Sequence, residues 1–155
     1  PAVGYNRRRV FDSSGRAVER MFRWQGAAGV FFNERKEVLM VLQAAPGEDK
    51  LWTVPSGTVE EGETFEECCV REFWEETGLT VRPIEMIHKK SGVLSDYGIS
   101  YYVEYFIVEF ISGELTIHDP DEFIHEIAWK SLDDMKNLPL AYPDDIHIIE
   151  QLLKN

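Results

Sequence analysis

Cysteine is scarce in this chain: two residues, Cys68 and Cys69, sit side by side. Neighbours on a helix diverge by about 100°, so the two cannot readily pair, and a disulfide-stapled secreted scaffold is excluded. The expectation is two buried free thiols in a reducing, cytoplasmic setting. Also missing is any apolar run approaching the ~20 residues needed to span a bilayer. No signal-peptide pattern opens the chain, whose first residue is Pro1 rather than Met. Internal repeats and low-complexity tracts are absent, which excludes solenoids and disordered tracts of biased composition. Positive charge is in deficit, 16 Lys and Arg against 28 Asp and Glu, for a net charge of −12. A general nucleic-acid binder needs clustered positive charge to meet phosphates, so that class is excluded, and no membrane partner is expected. A polyanionic substrate would need metal ions to approach such a surface.

What remains is the make-up of one globular domain, since 155 residues suffice for a substantial core. The charge is uneven. Residues 1–25 hold six arginines (Arg7, Arg8, Arg9, Arg16, Arg20, Arg23) against Asp12 and Glu19, a net of +4, which leaves −16 on residues 26–155. The pattern from Arg8 to Phe22, broken at Asp12-Ser-Ser-Gly15, reads as a β-hairpin, so 1–25 is expected as a basic extension and 26–155 as the main domain. The plainer expectation is a solvated hairpin leaning on the acidic body. The sharper one is that one or two of these arginines reach substrate phosphates or build a homodimer contact.

Short apolar, aromatic and β-branched runs place strands at Gly26–Phe32, Glu37–Leu42, Pro83–Ser91, Tyr101–Ile111, Glu114–His118 and Glu126–Trp129. Ser131–Lys136 reads as a brief capped helix and Pro143–Leu153 as a final one.

Residues 57–79, GTVEEGETFEECCVREFWEETGL, carry the chemistry. Thr64 and Glu67 form a capping-box start, Gly78 is a left-handed stop, and the helix is expected over Phe65 to Thr77. Glu72, Glu75 and Glu76 then share one face at i, i+3 and i+4. They lie at the end of the helix where the dipole favours cations, and like charges at this spacing cost ~0.2–0.5 kcal/mol per pair. A solvated acidic face is the bland reading. Against it, Phe65, Cys68 and Cys69 point the same way as the acids, so the acids extend an inward-facing stripe, as in a cleft wall. Oxygen-only ligands select a hard cation, Mg²⁺ or Mn²⁺.

This segment resembles the Nudix box, G-x5-E-x7-R-E-U-x-E-E-x-G-U, with U a bulky aliphatic residue. Gly57, Glu63, Arg71, Glu72, Glu75, Glu76, Gly78 and Leu79 fall in place, and Phe73 stands where an aliphatic residue is usual. Upstream, Trp52-Thr-Val-Pro-Ser-Gly57 is similar to the family's W-x-L-P-G-G lead-in, with Val54 for Leu and Ser56 for the first Gly. Downstream, Glu126-Ile-Ala-Trp129 and Ser131-Leu-Asp-Asp are similar to the strand and turn that follow the box. The resemblance implies an α/β (α+β) Nudix fold, a mixed β-sheet sandwiched between helices. It also implies a MutT-like hydrolase that splits a pyrophosphate bond in a nucleoside diphosphate linked to another group.

Carried over residue by residue, the resemblance makes Glu72, Glu75 and Glu76 the metal ligands, joined by the backbone carbonyl at Ser56. Glu63 and Arg71 hold each other and orient those carboxylates, while Gly57 permits a tight loop beside the metal. The general base is a box glutamate or a loop acid, with Glu122 and Glu126 the candidates. Tyr97, Tyr101 and Phe123 are candidates to stack a nucleobase. Tyr97 lies 18 residues past Leu79, near where some dinucleoside-polyphosphate members carry a Tyr. His88, His118, His125 and His147 share no metal-ligand spacing. The expected substrate is a nucleoside triphosphate or related nucleotide, with a dinucleoside polyphosphate as the alternative. Two rival classes are a non-catalytic nucleotide-sensing Nudix module, which often lacks box acids, and an isopentenyl-diphosphate isomerase, whose catalytic Cys lies outside the box.

Overall fold

The structure, a computed structural model, describes residues 10–11, 17–18, 22–94 and 99–154. Two short strands, β1 (Val10–Phe11) and β2 (Ala17–Val18), pair antiparallel as the expected N-terminal hairpin. Then follow β3 (Phe22–Val30), β4 (Val38–Gln43), β5 (Leu51–Thr53), β6 (Ser56–Thr58) and helix α1 (Phe65–Thr77). After α1 come β7 (Leu79–Leu94), β8 (Ile99–Gly113), β9 (Ile124–Lys130), α2 (Leu132–Met135) and α3 (Asp145–Leu153). Strand β3 crosses the boundary expected at residue 25.

One sheet is mixed, in the order β6-β3-β8-β7, with β3 parallel to β8 and the outer pairs antiparallel. The other, β5-β4-β9, is antiparallel throughout. Side chains alternate across a strand, and that period sorts the core into two halves. Ala27, Leu39 and Phe106 pack under α1 with Cys68, Cys69 and Phe73. Their neighbours Ala28, Met40 and Tyr105 pack with Met135 of α2 and Ile148 and Ile149 of α3. The strands are thus sandwiched between α1 on one side and α2 and α3 on the other. Phe73 is fully buried, so the departure from an aliphatic residue there is accommodated by packing. Among the described residues no helix is long and apolar enough to cross a membrane.

Glu114–His118, expected as a strand, is not one. Strand β8 ends at Gly113, whose φ of 104° turns the chain out of the sheet. The segment instead crosses the end of α1, where Thr116 N donates to Thr77 O at 2.8 Å and His118 N to Glu75 O at 2.7 Å. Helix-end carbonyls lack partners within their own helix, and here they compete successfully with strand pairing. The crossing is close: a Cβ on Gly78 (φ 81°) would overlap the Glu114 carbonyl and stand 2.6 Å from Thr116 N. Gly78→Ala is therefore expected to cost more than ~2 kcal/mol, strain and overlap together, read as a lower urea midpoint.

Candidate active site

Helix α1 is fastened at both ends by local chemistry. Glu67 N donates to Thr64 Oγ1 at 3.1 Å and Thr64 N donates back to Glu67 Oε1 at 3.2 Å. Gly78 N donates to Trp74 O at 2.8 Å in the left-handed stop. No basic residue occupies the last turn, so Glu72, Glu75 and Glu76 stand at the negative end of the dipole.

Arg71 gathers the acids. Its Nε and Nη2 donate to both oxygens of Glu63 at 2.7 and 2.9 Å, and Nη1 donates to Glu72 at 2.7 Å and Glu75 at 3.4 Å. Nη2 also donates to Thr58 O at 2.9 Å, tying the guanidinium to the end of β6. The Arg71 hydrogen bonds hold the Glu63 carboxyl below the usual carboxylate range, and Glu63 in turn raises Arg71. A two-point guanidinium–carboxylate fork of this kind fixes orientation as well as charge. Gly57 lies beneath Glu72 so closely that a Cβ there would overlap its carboxylate.

Glu76 is the deepest of the three, 4% exposed. Ser56 N donates to its Oε1 at 3.4 Å. Burial, then the neighbouring charge of Glu72 and a hydrogen bond to it, push the Glu76 carboxyl well above its ordinary value. Burial likewise raises Glu72 and Glu75 against the pull of Arg71. One guanidinium thus faces Glu63, Glu72 and Glu75, while Glu76 is satisfied by an amide and a second acid. Among the described residues no three His, Cys, Asp or Glu side chains close into a preformed metal cage. The donor chemistry nevertheless fits a hard cation: oxygen only, desolvated, in excess of positive charge, with no side chain at Gly57 to crowd it.

The remaining sequence candidates divide. Phe123 lines a cavity of about 260 Å³ together with Tyr142, Leu51, Ala44, Glu48 and Asp49, and its carbonyl accepts from Ala44 N at 2.9 Å. Glu122 is exposed and left-handed at φ 58°. Glu126 is exposed on β9 opposite Leu42. Among the described residues neither carboxylate bonds to the α1 acids. Tyr97 lies outside the described residues, as do five of the six N-terminal arginines. Tyr101 packs against Gly92 within the sheet.

Two residues escaped the sequence reading. Asp119 adds its negative charge to the rise of Glu75 and Glu76, and its own oxygens accept the amides of Asp121 (3.2 Å), Phe123 and Ile124 (3.0 Å). Its signal was Asp119-Pro-Asp, a turn marker. Tyr142 lines the cavity, and burial, with Asp145 and Glu76 charges adding, pushes its hydroxyl up to about 12. Burial also drives the Cys69 thiol up to about 12, and Cys68 higher still, so both are inert buried thiols.

A mixed sheet bearing a helix whose carboxylates line up against Gly57 of β6 defines an α+β domain built round an acidic cleft. The NUDIX domain model matches residues 23–152, and the chain belongs to that family. Its fold is shared with a NUDIX hydrolase from Nitrosomonas europaea (TM-score 0.75, 23% identity, 85% of this chain and 89% of that one). The Escherichia coli ORF135 protein is similar too (TM-score 0.70, 24% identity, 86% and 91%). By sequence the chain is 31% identical over 122 residues to the 8-oxo-dGDP phosphatase NUDT18 of Mus musculus, covering 78% of this chain and 36% of that protein. It spans about a third of the length of that relative.

Proposed function

We propose that this protein is a metal-dependent nucleotide pyrophosphohydrolase, cleaving the phosphoanhydride of a nucleoside triphosphate or related nucleoside diphosphate derivative. The observation that carries the reading is the desolvated Glu72–Glu75–Glu76 face, short of positive charge and braced by the Arg71–Glu63 fork. Glu72, Glu75 and Glu76, with the backbone at Ser56, would hold Mg²⁺ or Mn²⁺, which when bound neutralises the phosphates and acidifies the attacking water. Arg71 orients the carboxylates of Glu72 and Glu75, Glu63 fixes Arg71, and Gly57, in a strand where a loop was expected, lets β6 lie close to Glu72. Gly78 terminates the helix so that the acids end at the cleft.

Water activation is assigned to Glu122. Both oxygens of Asp119 are engaged by backbone amides, whereas the Glu122 carboxylate accepts no hydrogen bond among the described residues, and its left-handed backbone is the kind of strain that functional loops store. Glu126 is the next candidate. Glu122→Gln is expected to lower kcat about 10²-fold with the melting temperature unchanged. Unaltered kcat would move the base to Glu126 or a box glutamate.

The cavity at Phe123 and Tyr142 approaches the ~300–1,000 Å³ of ligand pockets and would take the nucleobase between aromatic rings. Glu126 is proposed as a further substrate contact, and Tyr97, which lies outside the described residues, is proposed from the sequence alone. The Caenorhabditis elegans Ap4A hydrolase has a similar fold (TM-score 0.64, 18% identity, covering 86% of this chain and 96% of that one), and together with Tyr97 it keeps a dinucleoside polyphosphate as the second reading. The basic residues 1–25 are read as a solvated extension of the acidic domain, with contact of one or two of its arginines to substrate phosphates or a homodimer partner as the sharper alternative.

The test is a phosphate and pyrophosphate release screen with Mg²⁺ and Mn²⁺ over nucleoside triphosphates, oxidised forms, dinucleoside polyphosphates and nucleotide sugars. Metal-dependent release from one class is expected. Tight nucleotide binding without release would make the domain a sensor.

A further inference from the structure

The loop carrying Glu122 and Phe123 is anchored by a contact that neither the acid cluster nor the core uses. Trp74 precedes Glu75 on the outer side of α1 and is 44% exposed, unusual for so large an apolar ring. It stacks on the His118 imidazole with ring centroids 4.3 Å apart and planes within 5°. The same segment donates Thr116 N and His118 N to the helix-end carbonyls of Thr77 and Glu75. One residue past His118, Asp119 gathers the amides of Asp121, Phe123 and Ile124 into a closed turn. That turn ends on Phe123, which is bonded to Ala44 and lines the cavity. A continuous chain of contacts therefore runs from the outer face of α1, beside a box acid, to the cavity wall.

We propose that the Trp74–His118 stack is a positioning clamp, which sets the Asp119–Phe123 loop at a fixed distance from the acids of α1. Two backbone bonds alone would let the segment pivot about the helix end. The stacked rings add a broad planar contact away from those bonds and remove that freedom. Trp74 acts through the loop and touches no reacting atom. The proposal rests on the hydrolase reading above, in which Glu122 and Phe123 face substrate.

The experiment compares wild type with Trp74→Ala and Trp74→Phe in the whole chain. The first readout, amide hydrogen exchange at Asp121, Phe123 and Ile124, needs no turnover; exchange in Trp74→Ala is expected to be about tenfold faster there and unchanged in β3 and β8. The second is kcat/KM on the nucleotide found by the release screen, expected to fall roughly tenfold in Trp74→Ala. The metal concentration giving half-maximal rate should not move, because the α1 acids are intact. Trp74→Phe keeps a ring on His118 and should restore both readouts. A merely structural stack would lower the melting temperature and leave kcat/KM untouched, and that result overturns the clamp. Wild-type exchange rates in Trp74→Ala overturn it as well. Should wild type turn nothing over, the hydrolase reading fails by itself; exchange and nucleotide affinity, expected about tenfold weaker in Trp74→Ala, then decide the clamp.

Discussion

Glu75→Gln is expected to lower turnover by about 10³-fold or more while the fold survives. Gln keeps the shape of the side chain and one carbonyl oxygen, but it removes the negative charge that a hard cation requires. Little else changes. Glu75 is half-buried on the surface of α1, and its contact with Arg71, at 3.4 Å, is the longest of that guanidinium's three box-acid hydrogen-bond pairings, with Glu63 and Glu72 held at 2.7 Å. The helix keeps its capping box and its Gly78 stop, and it loses one like-charge repulsion. A melting temperature near that of wild type together with collapsed kcat would place the effect in the chemistry. Turnover equal to wild type would sink the assignment of the metal to this face.

Glu76→Gln should act on stability and metal response together. Burial and the charge of Glu72 raise the Glu76 carboxyl well above its ordinary 4.5, so the folded protein binds this proton more tightly than the unfolded chain does. Such a group favours folding at low pH, and its contribution is lost as pH rises from about 4.5 through the folded value. Glu72, raised mainly by burial, acts in the same sense. Glu63 acts oppositely: held low by Arg71, it stabilises above the ordinary range and loses that contribution as pH falls.

In chelator, the metal-free wild type is therefore expected to lose stability from mildly acidic to neutral pH on account of Glu76 and Glu72. Glu76→Gln should flatten that slope and exceed wild type at neutral pH. Adding Mg²⁺ or Mn²⁺ should stabilise wild type by mass action and have little effect on the variant. Urea midpoints across pH, with and without metal, test both statements. A variant that keeps the wild-type slope, or the full metal response, contradicts them.

Both predictions rest on neighbouring acids of α1, and the features that set those acids in place differ in how far they were legible beforehand. Helix α1 runs over the residues expected, Phe65–Thr77, because its determinants are local: Thr64 and Glu67 bond across three positions, and Gly78 stops the helix by its own backbone freedom. The shared face of Glu72, Glu75 and Glu76 follows from helix geometry alone. The pairing of Glu63 with Arg71 joins residues eight apart through one loop, and the family resemblance supplied it. The apolar and β-branched runs of β3, β4 and β8 were equally visible, since such a run needs no knowledge of the partner strand.

Beyond that range the sequence by itself misjudged or missed what mattered. Glu114–His118 has the residues of a strand, yet the unpaired carbonyls of α1 claim its amides, a competition between segments far apart in the chain. Asp119 reads as a turn residue, and only the path of that turn over the helix end brings its charge to Glu75 and Glu76. Tyr142 and Phe123 meet across a cavity that no spacing encodes, and Trp74 reads as one more aromatic until His118 is seen against it. The sequence determined the family, the acid-bearing helix and the strands, because those rest on contacts within a few residues. The tertiary structure decided which loop faces the acids, how deeply each carboxylate is desolvated and what walls the cavity, because each depends on chain crossings whose geometry is set by the whole packed core.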